Sequence, residues 1–590
     1  MNNSTLFRNT ALATLILASS APVQAATFTD IAVSAGLGIH SRSTGWGDYD
    51  NDGCLDVMMT SDTSPKLFRN NCDGSNTFTD VSATAGITAP AMNWAAVWAD
   101  VNGDDLLDVY LTAQAETTDN VLYINQGNGT FVADTSAPVS GRGSAGASFA
   151  DYDGDGDLDL FVAGRFGSTN NQDALLRNDN GTFTDVTDLA GLGGQAGRLT
   201  FMGLWFDYDM DGDQDLYLTV DFGTDVLYQN NGDGTFTDVS LAAGIGLPQH
   251  GMGVYTGDLN NDGCLDIASS NNNGDTTNDP ETDEHGPSII YLNNCDGTFT
   301  VASYASGIAD RAVVDWGLNF IDYDNDGDLD FSQVSGGMLS SGQPNAFYEN
   351  DGSGQLFDIT AAAGVSDSGD AFGSAWIDVD NDGDLDWFVS NSGNPSFPNA
   401  LYRNDSATGH YLKVKLNGIA PNTDAVGATV KITAGSRTQM RVIQAGLSYG
   451  NSEELAAFFG LGVKTVADNV TVIWPNGTQS EVLNVAVDQT LVIDEDTSNV
   501  PLVGTVTGSV TDPNGLPLAG AAVSVRDDVT GLTVATAVSD ANGSYNIIDL
   551  PIGDYRIAAT ATGFFQSRAV GFNLIASEVE VIDLRLRLPR

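Results

Sequence analysis

The chain has 590 residues, with 78 acidic side chains against 22 basic ones and a net charge of −56. Nucleic acid and anionic membrane surfaces are excluded as partners by that balance, since both need positive surface. A hydrophobic content of 42% with 26 Phe excludes disorder as the reason for the charge.

Residues 1–25 read as an export signal: Arg8, the apolar run "ALATLILASSA" and the small residues "VQA" before a cleavage point after Ala25. The run is too short to span a bilayer, and no second run of about 20 apolar residues follows. A monomer is expected, secreted, extracellular, or periplasmic or on the outer surface.

From residue 48 a nine-residue acidic frame recurs seven times, beginning at Asp48, Asp100, Asp151, Asp207, Asp258, Asp322 and Asp378. A period of about 50 residues marks a repeat architecture. Residues 145–187 show the plan of one repeat: an apolar run into the loop, "LDLFVAG" out of it, a polar turn, "ALLRND", an "NG" turn and "TFTDVT". Four short strands per repeat predict an all-β fold with a seven-bladed β-propeller over 26–409. Trp46, Trp98, Phe149, Trp205, Phe320 and Trp376 precede the loops by two residues, with Tyr255 one place earlier in the fifth repeat. Packing between blades explains them, because a blade buries both faces. "TFTDIAVSAGL" (27–37) is the piece the seventh repeat lacks after "LYRND", so the N-terminal strand should complete the last blade and cover its edge.

Beyond 409 the period is lost. Residues 410–496 alternate as a small β domain, 497–503 read as a linker, and 504–590 read as a β-sandwich.

Carboxylates at the first, third, fifth and ninth positions of each frame can converge on one point. They are Asp48, Asp50, Asp52 and Asp56; Asp100, Asn102, Asp104 and Asp108; Asp151, Asp153, Asp155 and Asp159; and Asp207, Asp209, Asp211 and Asp215. The last three sets are Asp258, Asn260, Asp262 and Asp266; Asp322, Asp324, Asp326 and Asp330; and Asp378, Asp380, Asp382 and Asp386. Oxygen-only ligands select a hard cation, and a turn glycine with a carbonyl at the seventh position suits Ca2+ better than magnesium, giving up to seven sites. The EF-hand is excluded because its Glu at position twelve is missing. In the second loop Asp105 stands where the others have glycine, and Gly103 reads as a displaced glycine. Each loop is expected to act within its own blade.

Cys54 and Cys264 hold the seventh position of the first and fifth loops, and Cys72 and Cys295 sit at matching places in "FRNNCDG" and "YLNNCDG". In an exported chain these predict disulfides Cys54–Cys72 and Cys264–Cys295, against the alternative of four buried thiols.

With these loops the array resembles the FG-GAP or VCBS repeats of integrin-α-like propellers, which hold calcium in such loops; "AFGSAWIDVDNDGDLD" carries the match best. "VGATV", "AGLSYGNSEELAAFFGLG" and "VTVIWPNGT" resemble the ASPIC/UnbV domain, though "FFGLG" stands where that family has a His. Propeller plus this domain is similar to the acidic secreted cartilage protein family, and the tail resembles carboxypeptidase regulatory-like domains of prealbumin-like fold. The resemblance implies an extracellular calcium-binding interaction or adhesion protein, its partner a protein or glycan.

The rival reading is a carbohydrate-active enzyme, and a third is a passive matrix component. No "HExxH", "GxSxG" or "CxxC" frame occurs, and the four His (His40, His250, His285, His410) are scattered. The best catalytic candidate is the fifth-repeat insert with Asp275, Asp279, Glu281, Asp283, Glu284 and His285. It reads as a solvated acidic loop in preference to a catalytic group, because acids are abundant and nothing fixes its geometry, and no catalytic residue is assigned.

Overall fold

In the computed structural model the described residues are 27–587, except 89–91, 116–117, 135–142, 167–172, 194–196, 272–286, 309–313, 337–343, 368, 393–395, 406–408, 496–502, 528–532, 552 and 575–578. The expected leader, the catalytic insert and nearly all of the linker therefore lie outside them.

The chain is all-β, built from repeated four-stranded sheets. Among the described residues seven four-stranded antiparallel sheets follow one another between residues 28 and 404, six of them meanders along the chain. The third repeat runs Ser144–Ala150, Asp159–Gly164, Ala174–Asp179 and Thr182–Asp185. The second strands are buried along their whole length, while the fourth leave most of their residues exposed. In Phe78–Asp80, for example, Phe78 is buried and Thr79 and Asp80 are exposed. Side chains of the inner strands thus face a neighbouring sheet on both sides, as near-continuous apolar runs require.

The last sheet joins the two ends of the array. Ala371–Ile377, Asp386–Asn391 and Ala400–Asn404 are completed by Phe28–Asp30, with Phe28 opposite Asn404 and Asp30 opposite Tyr402. Inner strands of successive sheets pack in chain order, and Thr44–Gly47 of the first sheet also packs against Ala371–Ile377 of the seventh. The loop-proximal aromatics fill these contacts: Trp46 of the first sheet lies 5.3 Å from Phe388 of the seventh, and Trp376 of the seventh lies 5.4 Å from Phe347 of the sixth. Four one-turn helices follow "FTD"-type strands. Ala32–Ala35 ends at Gly36, whose φ of 85° only glycine adopts freely.

Two further units follow. His410–Asn417 pairs with Ala456–Gly462 and, in parallel, with Gln489–Asp494, and this sheet shares a core (Leu412, Ile432, Phe459, Val470, Trp474) with a second sheet of four strands. The tail packs two four-stranded sheets around Val506, Val523, Tyr545, Ile557 and Leu584.

Candidate metal centres

Each acidic frame is the turn between the first and second strands of its sheet. It curls because two of its residues are left-handed. The fourth position has positive φ in all seven loops (Asn51, Gly103, Gly154, Met210, Asn261, Asn325, Asn381), and so does the sixth (Gly53, Asp105, Gly156, Gly212, Gly263, Gly327, Gly383). This corrects the reading of the second loop. Gly103 is not displaced but holds the fourth position, as Gly154 does, and Asp105 adopts φ 66° at the sixth.

The curl turns backbone N–H groups inward. The first carboxylate accepts from the fifth and sixth residues: Asp52 N and Gly53 N donate to Asp48 at 3.0 and 2.8 Å, and Asp326 N and Gly327 N to Asp322 at 3.0 and 2.9 Å. The fifth carboxylate accepts from the seventh residue: Asp213 N donates to Asp211 at 3.1 Å. The ninth accepts from the second: Tyr208 N donates to Asp215 at 3.1 Å. These bonds aim the acids but leave oxygens over.

The leftover oxygens test whether a metal fits. Oδ1 of Asp50, Asp153, Asp209 and Asp380, the third position of four different loops, is buried without a donor. One carboxylate oxygen from each of Asp48, Asp50 and Asp56 lies within 4.8 Å of the other two, and the same holds for Asp151, Asp153 and Asp159 and for Asp207, Asp209 and Asp215. Burial, reinforced by the neighbouring carboxylates, pushes Asp56, Asp108 and Asp266 up to about 8 and Asp159 and Asp215 up to about 9. Asp330 and Asp386 are raised well above the usual range for the same reason. An orphaned, desolvated carboxylate cluster costs stability unless a cation joins it. Its all-oxygen donor set fits a hard dication. Cys54 and Cys72 also lie near Asp52, but their sulfurs are bonded to each other and offer no thiolate.

Loop two is built differently. Asp100 accepts from the backbone of residues 102 to 105 and from the Thr423 hydroxyl at 2.6 Å, while Asp424 takes the Asp100 N–H at 2.9 Å. Its first carboxylate is thus supplied with donors by protein alone. In loop five the Asn260 side chain is engaged with Asp262.

Both expected disulfides are present, Cys54–Cys72 and Cys264–Cys295. They tie the seventh loop residue to the turn after the third strand. In the third repeat a hydrogen bond spans the same gap, Asn180 N to Asp157 Oδ2 at 2.8 Å.

One set of residues escaped the sequence reading. The third strands carry Asn70, Asn125, Asn178, Asn230, Asn293, Asn350 and Asn404 at their ends (Asn178 one residue before), and each donates its backbone N–H to the ninth carboxylate of its own loop at 2.7–2.8 Å. Six of them also reach the preceding loop: Nδ2 of Asn125, Asn178, Asn230, Asn293, Asn350 and Asn404 donates to the carbonyl of Tyr49, Val101, Tyr152, Tyr208, Leu259 and Tyr323. Fourth-position asparagines add links forward, from Asn51 to Asp105 O, Asn261 to Asp328, Asn325 to Gly383 O and Asn381 to Gly53 O. The expectation that each loop is local to its own blade does not hold for its hydrogen bonds: the loops form one bonded chain around the array. The signal was the Asn recurring in "FRN", "YIN", "LRN", "YQN", "YLN", "YEN" and "YRN".

Two of the described histidines each sit beside a carboxylate. His250 Nδ1 lies 3.0 Å from Asp221, and His410 Nδ1 lies 2.8 Å from Asp488, each in a separate place.

Family comparisons agree with this organisation. FG-GAP-like repeats match residues 48–111, 100–162, 151–218 and 207–269; "ASPIC and UnbV" matches 418–500; the carboxypeptidase regulatory-like domain matches 505–587. Cartilage acidic protein 1 of Homo sapiens is 30% identical over 273 residues, 45% of this chain and 39% of that protein, and its Mus musculus counterpart is 29% identical over 276 residues, 45% and 40%. The chain spans about two-fifths of the length of these relatives. Among solved structures, the Bacillus anthracis TIE protein overlaps 35% of this chain and 41% of its own at 16% identity with a TM-score of 0.16, which bears on nothing here. The chain thus carries FG-GAP-like repeats, an ASPIC and UnbV domain and a carboxypeptidase regulatory-like domain, and is similar to cartilage acidic protein 1.

Proposed function

We propose that residues 26–409 are a closed seven-bladed propeller whose loops bind calcium. In this reading the ring is a rigid platform for an extracellular protein or glycan partner, with 410–496 and 504–590 as accessory domains joined through 497–503. The observation that carries it is the buried, donorless carboxylate oxygen at the third position of four loops. Calcium would supply there the positive charge that the clustered acids need. The first, third, fifth and ninth side chains would hold it, with loops two and five the weakest. The extracellular setting is supported by the two disulfides and by the resemblance to cartilage acidic proteins. Among the described residues no helix is long and apolar enough to cross a membrane.

Asp209→Ala tests the reading through a change of sign. Asp209 is raised to about 6, chiefly by burial and then by Asp211. In chelator at neutral pH the variant should melt at or above the parent, because a disfavoured charge is gone. In calcium it should melt lower and bind one ion fewer. A variant that melts lower by the same amount in both conditions would show that Asp209 serves packing alone. Capture of extracellular proteins and glycans by the parent chain, with and without calcium, then addresses the partner.

A further inference from the structure

The second domain sends one loop away from its own core. Residues 443–454, between the strands Arg437–Val442 and Ala456–Gly462, enter the middle of the seven-sheet array. There they bond to the innermost strand of every sheet. In the first sheet, Ser452 N donates to Thr44 O at 3.0 Å and Ser452 O accepts from Trp46 N at 2.9 Å. Gly450 O accepts from Ala96 N of the second, and Ala445 O from Phe149 N of the third. Gln444 Nε2 donates to Trp205 O of the fourth at 2.9 Å. Ser448 exchanges two backbone bonds with Val254 of the fifth, and its hydroxyl accepts from Leu318 N of the sixth at 3.1 Å. Glu453 completes the circle, accepting from Trp376 N of the seventh sheet at 2.8 Å, Asn319 Nδ2 at 2.8 Å and Tyr255 Oη at 2.8 Å.

The fit is close. Ser448, Asn451 and Ser452 are fully buried. Gly446 has φ 95°, and a Cβ there would lie 2.4 Å from Ala147 O, so no larger residue seats without displacing the third sheet. At the tip, Tyr449 packs into a cage of Trp94, Phe201, Trp316 and Phe372, with ring centroids 5.7, 5.6, 5.0 and 6.4 Å away. The same domain also covers the acidic loops, where Gly460 N donates to Asp322 at 3.0 Å and Arg437 to Asp326 O at 2.9 Å.

A channel between inner strands presents their unpaired edge N–H and C=O groups, which cost stability if left dry and unbonded. Here one peptide segment satisfies a group from each of seven sheets whose sequence positions span more than 300 residues. We infer that the axis of the array is a peptide-binding site whose resident ligand is segment 443–454, and that the domain carrying it serves as a lock on the array. An outside partner would then meet the rim or an end face of the array, since the axis is filled. The inference rests on the ring arrangement proposed above and not on its metal.

The test cuts the chain and asks whether the halves stay together. A protease site is inserted at 406–408 of the full-length protein, which is cleaved after folding and passed over gel filtration in calcium and in chelator. The lock predicts that the halves co-elute in calcium and part only on denaturation. Gly446→Val, cut in the same way, should release the second half or lower the melting temperature of the uncut chain. Halves that separate in calcium, or a Gly446→Val protein that neither releases nor melts lower, would overturn the inference. Co-elution in both buffers with no chelator effect on melting would leave the lock standing and defeat the calcium reading alone.

Discussion

Chelation should lower the melting temperature of the full chain by on the order of 10 °C. At free calcium 100 times the dissociation constant, one site adds about 2.7 kcal/mol when the unfolded chain does not bind. Two occupied sites already give a shift of that size in a domain of a few hundred residues. Magnesium should restore it poorly, because it demands octahedral geometry and gives up water reluctantly. The pH dependence carries a sign. Ninth-position carboxylates with folded values of about 8 to 9 lie above their unfolded values. In chelator they contribute stability that is fully present below about pH 4 and is lost as pH rises through their folded values. The metal-free chain should therefore melt progressively lower from pH 5 to pH 9. In saturating calcium the same acids are ionised and neutralised, so that decline should vanish. A melting temperature that rises with pH in chelator would contradict the carboxylate environment described here.

Asn350→Ala should be among the most damaging single changes to the array. Its side chain donates to Leu259 O at 2.8 Å and Leu329 O at 2.7 Å and accepts from Gly352 N and Gly354 N at 3.0 Å. Truncation leaves two buried carbonyls and two N–H groups without partners. At about 1–3 kcal/mol for each of the two buried carbonyls, a loss of roughly 2–6 kcal/mol is expected. Because the residue joins loop six to loop five, calcium affinity should fall at both. Calorimetry of the variant with a calcium titration checks this. Damage confined to one site would restore the picture of independent loops.

Much of this architecture was legible because its signals are local. Strand alternation, turn glycines and the "DxDxDG" frame each lie within ten residues, and repetition confirmed their order, down to Phe28–Asp30 completing the last sheet. The two disulfides followed from equivalence between repeats. Gly103 was misplaced for a physical reason: the fourth position also needs left-handed backbone, and Asn, Gly and Met210 all fill it, so a glycine there looked like a shifted sixth residue. The asparagines at the third-strand ends sit among turn-forming residues, and their bonds run to a loop some 80 residues earlier, as from Asn404 to Tyr323. Segment 443–454 was harder still. Its residues are uncharged and turn-like apart from Glu453 and Glu454, and partners such as Thr44 lie about 400 residues away. No local pattern announces such a pairing.

Counting bound calcium tests the central claim most directly. The full-length protein, dialysed against millimolar calcium, is measured for metal per chain beside Asp209→Ala. The account predicts roughly five to seven ions per chain, with loops two and five filling last, and one ion fewer in the variant. A chain that takes up no calcium at that concentration would contradict it.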